Sequence, residues 1–452
     1  MSRLALSLLA GCALLATSAA GQVTPSSDSF PPFVVRAVYD AGAPVYAMCE
    51  AELDSTAAGP EIVALSGAGT VLLLRYAAGA WTATPIATDL GEFSFMASRP
   101  TLSVADVHAG FAGPEVVVNV GQNVYALHRD SDGQWDASFV FDGRELFGIS
   151  WGARAGDLDP AAPGDEVFHV WEGVADLSTG TLYRQEGGAF VGETIYGLDP
   201  YGEVVMDSAI GDFDATRPGA ELALTTEMGP TYALLSPPAP GEPWTRRLLW
   251  NDFENAGWVV RIADVDPTRP GVKLVYGTRY LNRMLVSYPV AGGAHELEVI
   301  YDGGPVDWPP AIYDIATGGV LPDTPGAQVV GVDFQGEATL VAYQDGAWRG
   351  AVIWRDESGP LYAAAAGRWL AGCPDAQIAV AGESGVIRLL TAAIPGDLNA
   401  DGAVDLTDLA TLLANLGLGG GATYEQGDVD RDGAIDLEDL GLLLARFGAA
   451  CE

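Results

Sequence analysis

Lysine is almost absent from this chain, and basic residues of any kind are scarce. The 452 residues include 22 basic and 60 acidic ones, Lys273 is the only lysine, and the formal net charge is −38. Nucleic-acid phosphates require a basic binding face, which so acidic a composition does not offer. The composition therefore predicts no nucleic-acid partner and suits an extracellular protein.

Cysteine is also scarce, and long apolar runs are missing after the first twenty residues. Beyond that segment the cysteines are Cys49, Cys373 and Cys451, without a CxxC pair or a Cys/His cluster, so a zinc site is not expected. An odd number leaves at least one of them outside an intramolecular disulfide, and the sequence leaves open which pair forms, if any. No later segment has the unbroken apolar length of a membrane-spanning helix.

The first residues have the pattern of an export signal. Arg3 precedes the apolar run LALSLLAGCALLA, and Ser18-Ala19-Ala20 offers a small-residue cleavage site. We expect a signal peptide at 1–20, a linker at 21–30, and a product that is secreted or at the cell surface. The segment LAGC at 9–12 resembles a lipoprotein cleavage box, but the apolar run continues past it, which favours a soluble product.

Two acidic loops of twelve residues lie 31 positions apart near the carboxyl end. They read DLNADGAVDLTD (397–408) and DVDRDGAIDLED (428–439). Each has glycine at position 6, where a sharp turn is needed, and oxygen-bearing side chains at positions 1, 3, 5, 9 and 12. Because calcium takes about six to eight oxygen ligands, the pattern predicts two calcium ions. The predicted side-chain ligands are Asp397, Asn399, Asp401, Asp405 and Asp408 in loop 1 and Asp428, Asp430, Asp432, Asp436 and Asp439 in loop 2, with backbone carbonyls from Ala403 and Ala434.

A helix is predicted after each loop, over 406–417 and 437–448, because leucines recur at helical spacing and each segment ends in glycine. Loop then helix, duplicated, with Asp at position 12, resembles the type I dockerin over about 394–450. The resemblance implies calcium-dependent docking to a cohesin-type receptor, often in polysaccharide-degrading assemblies. In that family positions 10 and 11 steer partner choice. Here these partner-binding positions are Leu406, Thr407, Leu437 and Glu438, unlike the hydroxyl pair of the best-known members.

Partner identity therefore does not carry over from the resemblance. A calcium-stabilised cap without a partner stays open as the alternative reading of 394–452.

Residues 31–393 contain a sevenfold repeat with a period of about 50 residues. Its clearest copies are GDLDPAAPGDEV (156–167), GDFDATRPGAEL (211–222) and ADVDPTRPGVKL (263–274). Each unit holds four short strands, which predicts a mainly β, seven-bladed β-propeller beside the small α-helical module. Residues 32–40 are an outer strand without inner strands before it, so we expect them to complete the seventh blade. The repeat resembles FG-GAP and VCBS-like propeller repeats, and 156–172 alone resembles a blade of rhamnogalacturonan lyases.

Two features of the repeat leave alternatives open. The paired acids of the clearest copies, such as Asp157 and Asp159, are expected to form turns, with calcium as the second reading. A column at the start of the innermost strands is mostly aromatic, and it either stacks on sugar rings at the channel mouth or packs between blades. Two nearby arginines could then hold carboxylates of an acidic glycan. The candidate ligand-binding residues are Tyr46, Trp151, Trp258, Trp308 and Tyr362, with Arg154 and Arg261.

No catalytic residue is identified. Residues 148–152 match the GxSxG nucleophile elbow, but they begin a propeller strand, and the elbow belongs in a different fold. The sequence predicts a docking protein whose propeller binds or presents ligands, with a polysaccharide connection. The alternatives are a lyase or glycoside hydrolase with its site at the channel mouth, and a propeller that binds only proteins.

Overall fold

The computed structural model describes most of the chain after its first twenty-one residues. Described are residues 22–23 and 30–451, apart from 55–58, 92–97, 112, 145, 147, 160–163, 174–176, 198–203, 215–218, 228–229, 236–242, 270, 291–293, 306–311, 323, 371, 374 and 400. The predicted signal peptide and most of the predicted linker lie outside these residues. No helix among them has the length and apolar character needed to cross a bilayer.

The described residues form twenty-nine strands, of which all but the first two follow a four-strand rhythm. The chain begins with β1 (Gln22–Val23) and β2 (Phe33–Asp40). Blade 1 contains β3 (Val45–Ala51), β4 (Glu61–Ser66), β5 (Val71–Ala77) and β6 (Ala80–Ala87). Blade 2 contains β7 (Thr101–Ala105), β8 (Glu115–Val120), β9 (Asn123–Arg129) and β10 (Trp135–Phe141). Blade 3 contains β11 (Gly148–Gly156), β12 (Glu166–Gly173), β13 (Leu177–Glu186) and β14 (Ala189–Gly197).

The remaining blades repeat this arrangement. Blade 4 contains β15 (Val205–Gly211), β16 (Glu221–Thr226), β17 (Pro230–Leu235) and β18 (Thr245–Asn251). Blade 5 contains β19 (Gly257–Ala263), β20 (Lys273–Thr278), β21 (Leu281–Pro289) and β22 (His295–Pro305). Blade 6 contains β23 (Ile312–Gly318), β24 (Gln328–Asp333), β25 (Glu337–Gln344) and β26 (Ala347–Arg355). Blade 7 contains β27 (Leu361–Gly367), β28 (Gln377–Gly382) and β29 (Val386–Ala392).

The amino-terminal strand closes the ring. β2 pairs antiparallel with β29, from Phe33 opposite Ala392 to Asp40 opposite Val386, and so completes blade 7 as predicted. The first strands of successive blades lie side by side, and β27 lies next to β3. This arrangement confirms the seven-bladed propeller and leaves no unpaired gap between the two ends of the repeat. The pairing of β1 with β2, which the sequence did not predict, adds a fifth strand.

Burial explains the difference between inner and outer strands. The second strand of blade 1, EIVALS, is buried at every position, because neighbouring blades pack on both of its faces. The fourth strand, AWTATPIA, is mostly exposed or half-buried and alternates in its first half, as an edge strand does. The same contrast separates β24 from β26 in blade 6.

The penultimate residue of the repeat motif, usually glutamate, ties its blade to the turn before it in six of the seven blades, and blade 5 has Lys273 at this position. In blade 2, Glu115 Oε2 accepts the N–H groups of Val107 and His108 at 2.9 and 3.1 Å. In blade 6, Gln328 Oε1 accepts the N–H groups of Val320 and Leu321 at 2.7 and 3.0 Å. The motif is therefore a device that fixes a turn, a role that the sequence analysis did not assign to this side chain.

The carboxyl-terminal module consists of α1 (Leu406–Asn415), a 3₁₀ turn (Tyr424–Gln426) and α2 (Leu437–Ala445). Asp405 and Asp436 cap the two α-helices, since their side chains accept the N–H groups of Thr407 and Glu438. Both helices end before the predicted glycines. Leu416 already has an extended ψ of 127°, and Gly417 then takes a positive φ of 95°.

The module shares a core with blade 7. One apolar cluster includes Trp369 and Leu370 of the propeller together with Leu412, Tyr424 and Leu443 of the module. A disulfide joins Cys373, in the loop between β27 and β28, to Cys451 at the far end of the module, and Cys49 is the free cysteine. The structure thereby decides the pairing that the sequence left open.

Candidate calcium-binding and docking site

The two acidic loops have the same internal hydrogen bonds. In loop 1, Asp397 Oδ2 accepts the N–H of Gly402 at 3.0 Å, and Asp428 Oδ2 accepts the N–H of Gly433 at the same distance in loop 2. Both glycines have a positive φ, 95° and 87°, which favours glycine over residues with a side chain. The duplication seen in the sequence is therefore a duplication of backbone geometry.

In each loop, one oxygen of the first aspartate is buried without a partner. Asp397 Oδ1 and Asp428 Oδ1 lie away from solvent and accept no hydrogen bond. Burial raises the pKa of Asp397 to about 6. An unpaired buried carboxylate oxygen is costly unless a cation or a donor meets it, so these two atoms fit an oxygen-seeking metal ion.

Several of the predicted ligands lie close to one another within each loop. Carboxylate oxygens of Asp428, Asp430 and Asp432 lie within 4.8 Å of one another, and among the described residues no other group of three His, Cys, Asp or Glu side chains meets that test. In loop 1 the amide Nδ2 of Asn399 donates to Asp401 Oδ2 at 2.9 Å. Hard carboxylate and amide oxygens of this kind are the ligands that calcium prefers.

The aspartates at position 12 hold the loops in shape. Asp408 Oδ1 accepts the N–H of Leu398 at 2.7 Å, and its Oδ2 accepts the N–H of Asp405 at 2.8 Å. Asp439 does the same for Val429 and Asp436. Both carboxylates are buried and complete the caps of α1 and α2. Their remaining lone pairs leave capacity for a metal ion.

Each loop also pairs with the segment that follows a helix. Val404 exchanges backbone hydrogen bonds with Gly448 and Ala449 at 2.8 and 2.9 Å. Ile435, which lies 31 residues after Val404, exchanges such bonds with Gly417 and Leu418, both at 2.8 Å. Gly417 and Leu418 in turn lie 31 residues before Gly448 and Ala449. The module therefore has an internal twofold relation. Loop 1 pairs with the segment that follows α2, and loop 2 pairs with the segment that follows α1.

The family comparison addresses this module. Residues 395–447 match the model of the dockerin type I domain. The module is a dockerin. Dockerin type I domains generally bind calcium and imply a cohesin partner, and proteins that contain them are typically extracellular or at the cell surface.

Solved structures resemble the propeller in fold. Two structures of BBS1N in complex with ARL6DN, soaked with lead and with mercury, match with TM-scores of 0.52 and 0.51. Each is 12% identical in sequence, and each match covers 79% of this chain and 97% of that chain. YCF48 from Cyanidioschyzon merolae matches at a TM-score of 0.47 with 15% identity, over 79% of this chain and 98% of that one. At 12% identity the two BBS1N matches show the propeller fold alone. No curated protein matches the chain significantly.

The dockerin exposes apolar side chains in equivalent positions of its two halves. Leu406 and Leu437 at position 10 of the loops are 72% and 75% exposed, and Thr407 and Glu438 beside them are also exposed. Further along the helices, the exposed residues form the pairs Leu413 with Leu444 and Leu416 with Phe447. Exposed apolar residues in such a group are typical of a protein-binding face. The sequence predicts the helical spacing of these leucines but not their exposure, because periodicity does not show which face of a helix is covered.

The predicted aromatic column is only partly accessible. Tyr46 and Trp151 are half-buried, whereas Trp258 and Tyr362 are buried. Tyr46 stacks on Tyr362 at 4.9 Å between ring centroids, and Trp151 meets Trp258 edge-on at 6.4 Å. Trp308 lies outside the described residues. The cavity that Tyr46 and Tyr362 line has a volume of about 110 Å³, below the roughly 300–1,000 Å³ of usual ligand pockets. Sugar binding at this mouth stays a prediction.

Arg154 and Arg261 face a buried aspartate inside the channel. Asp207 accepts Arg154 Nη2 at 2.9 Å and Arg261 Nη1 at 2.8 Å. Burial opposes the ionisation of Asp207, but the surrounding guanidinium groups outweigh it and hold the pKa of this carboxyl below its ordinary value. Arg261 also pairs with Asp314. The two guanidinium groups predicted to bind glycan carboxylates are thus largely neutralised by aspartates of the protein itself.

Arg99, which the sequence analysis did not single out, joins four blades across the channel. From just before β7 of blade 2, its Nη1 donates to the carbonyls of Met206 and Trp258 at 2.8 and 2.7 Å, and its Nη2 donates to that of Tyr313 at 3.3 Å. These carbonyls belong to blades 4, 5 and 6, and the side chain is 5% exposed. Arg99 belongs to no repeated motif in the sequence, so its role could not be predicted from the sequence alone.

Ser150 of the GxSxG match is not placed as a nucleophile. It lies within β11, fully buried, with its Oγ 2.8 Å from His169 Nε2 and bonded to Asn119 Oδ1 at 2.5 Å. A serine inside a sheet cannot meet a substrate, in agreement with the interpretation that this match arose by chance.

The second acids of the clearest propeller repeats have partners within their own blades, one in its turn and two on other strands. Asp266 Oδ1 accepts the N–H of Thr268 at 2.9 Å, and Asp214 pairs with Arg247 at 2.7 Å. Asp159 pairs with Arg184 at 3.7 Å. Asp266 fits the turn interpretation, and the ion pairs of Asp214 and Asp159 supply positive charge from the protein itself, so turn structure in place of additional calcium stays a prediction.

Proposed function

We propose that this protein docks to a cohesin-type receptor through its dockerin, which holds two calcium ions, one in each loop. The observation that carries the proposal is the pair of buried, unpartnered oxygens of Asp397 and Asp428 at equivalent positions. The remaining ligands would be those predicted in the two loops. When bound, calcium supplies positive charge among carboxylates that otherwise repel one another.

The chain's own residues connect the ions to docking. Asp408 and Asp439 are both loop residues and helix caps, so the loop geometry and the starts of α1 and α2 depend on the same carboxylates. Leu406 and Leu437 stand at these helix starts. Ordering of the loops by calcium therefore fixes the relative positions of the exposed leucines, which are the proposed contact with the receptor.

Calorimetric titration of the full chain with calcium tests the first half of this proposal. We expect about two ions per chain, one lost in Asp397→Asn, one in Asp428→Asn and both in the double variant. The exposed Asp136→Asn is a matched control. Binding of a cohesin-type receptor, with calcium and with chelator, tests the second half. Two ions bound without any receptor binding would support the alternative of a calcium-stabilised cap.

For the propeller we propose a binding or presenting role with a polysaccharide-related ligand, in a product exported by means of residues 1–20. Its support is the half-exposed Tyr46 and Trp151 at the channel mouth and the association of dockerins with such assemblies. A glycan array combined with reducing-end and unsaturated-product assays separates the alternatives. Glycan binding without turnover supports presentation, and turnover supports a lyase or glycoside hydrolase. If the protein shows neither glycan binding nor turnover, the alternative of a propeller that binds only proteins is supported.

A further inference from the structure

The edge of loop 1 is closed by the segment that carries one half of the disulfide. The N–H of Cys451 donates to the carbonyl of Gly402 at 2.8 Å, and Ala450 forms an isolated bridge with Ala403. Gly402 is the turn residue of loop 1, and Ala403 offers one of the proposed carbonyl ligands. The backbone at Cys451 is therefore hydrogen-bonded to the loop that would hold the calcium ion.

The internal twofold relation shows what is different about this edge. Loop 2 pairs with residues 417–422, and that segment is anchored on one side by α1 and on the other by Tyr424, which is buried in the module core. Loop 1 pairs with residues 448–451, which are anchored on one side by α2. Their second anchor is the bond from Cys451 to Cys373 of blade 7. The second anchor of this segment is therefore a covalent bond to the propeller, whereas that of the segment beside loop 2 is the packing of Tyr424.

Both loops pack on the apolar cluster shared with blade 7, but in the described residues the propeller also touches the turn and the paired edge of loop 1. A Cβ added to Gly402 would lie 2.9 Å from Arg36 Nη2, so the guanidinium of an outer-strand residue rests against the turn of loop 1. A Cβ added to Gly372 would lie 2.9 Å from the carbonyl of Ala450, so the blade 7 loop touches the paired segment. At Gly433, the equivalent turn of loop 2, the contact would be the dockerin's own Gly421 at 3.5 Å.

We infer that the Cys373–Cys451 disulfide controls the calcium affinity of loop 1 and leaves that of loop 2 unchanged. The inference rests on the proposed calcium binding. Reduction by a dithiol transfers two electrons and two protons to the bond, yields two thiols and converts the dithiol to its own disulfide. Residues 448–451 then lose their second anchor, and the edge of loop 1 opens more often. Because linkage is reciprocal, calcium in loop 1 in turn protects the disulfide against reduction.

Variants with one intact loop isolate the effect. Asp428→Asn leaves loop 1 and Asp397→Asn leaves loop 2, each in the full chain, and calcium affinity is measured by calorimetry with and without Cys373→Ser/Cys451→Ser. We expect loop 1 to bind at least about fivefold more weakly once the disulfide is removed, and loop 2 to change by less than about twofold. Cys49→Ser, which alters the free cysteine, is the control and should change neither.

A second measurement does not depend on the folding of the serine variants. Folded protein is treated with dithiothreitol, and amide hydrogen exchange is followed at Gly448 and Cys451 against Gly417 and Ala422. Faster exchange confined to the first pair supports the inference. Equal losses of calcium affinity or of exchange protection in both loops, or no loss in either loop, would overturn the inference. If the oxidised protein binds no calcium in either loop, the proposed calcium binding itself is wrong. That result differs from the two outcomes that would overturn only the role of the disulfide.

Discussion

Asp397 and Asp428 occupy the same place in two copies of one loop, and each directs one carboxylate oxygen to a glycine N–H at 3.0 Å and leaves the other buried without a partner. Two such unpaired oxygens do not stabilise the fold by themselves, because burial of a bare carboxylate oxygen weakens folding. The two unpartnered oxygens fit the role of ligands for a bound cation.

Replacement of both residues by asparagine should remove the response of the dockerin to calcium. With calcium at about 100 times its dissociation constant, the wild-type protein should gain about 2.7 kcal/mol per site, and the double variant should gain nothing. In chelator the variant should be no less stable than the wild type, since the neutral amide removes a buried charge. Thermal unfolding of the full chain with calcium and with chelator checks both statements. A calcium response that survives in the double variant would contradict the ligand assignment.

Glutamate at Leu406 and Leu437 should abolish receptor binding and leave calcium binding intact. Both side chains are more than two-thirds exposed, so the change costs the fold little, whereas a charge in an apolar interface costs several kcal/mol through desolvation. Surface plasmon resonance on an immobilised cohesin-type receptor, beside calcium calorimetry, measures the two effects separately. Leu248→Ser on the propeller, which is also exposed, is the matched control and should bind the receptor like the wild type.

Glu115→Gln should remove part of the pH dependence of propeller stability. Burial raises the pKa of Glu115 to about 7. A carboxyl group whose pKa is raised by folding contributes stability that is fully present below its unfolded value and is lost as the pH rises through about 7. The wild type should therefore gain about 1 kcal/mol or more over the glutamine variant between about pH 8 and about pH 5.

Urea unfolding at the two pH values measures this difference. Glutamine already fills the role in blade 6, where Gln328 accepts the two turn N–H groups, so the variant should fold. Glu115→Ala, which leaves both N–H groups without an acceptor, should lose about 1–3 kcal/mol at either pH. Identical pH profiles for the wild type and the glutamine variant would show that Glu115 does not titrate in this range.

Arg99→Ala should destabilise the ring by about 3–5 kcal/mol, because Asp207 and three carbonyls of blades 4, 5 and 6 lose a buried donor. Arg99→Lys should rescue little of this loss, since an ammonium group cannot span the same carbonyls. Arg349→Ala, which breaks an exposed pair with Asp345, should cost less than about 1 kcal/mol. Denaturant unfolding compares the three variants, and a small effect at Arg99 would show that the channel contacts do not hold the blades.

Local patterns in the chain predicted much of this architecture. The strand rhythm, the closure by 32–40 and the two loop–helix units follow from period, turn residues and ligand spacing, which act within a few tens of residues. The disulfide and Arg99 did not follow, because Cys373 and Cys451 are 78 residues apart and Arg99 meets residues more than 100 positions away. No local spacing encodes such contacts.

By itself, the sequence determined that seven similar units must close on one another and that two acidic turns repeat 31 residues apart, since repetition and residue chemistry are written along the chain. Only the tertiary structure decided which loop leans on the propeller, which leucines stay exposed and which charges neutralise Arg154 and Arg261. These outcomes depend on how blades and module pack in space, where a side chain's partner is chosen by distance and burial and not by its position in the chain.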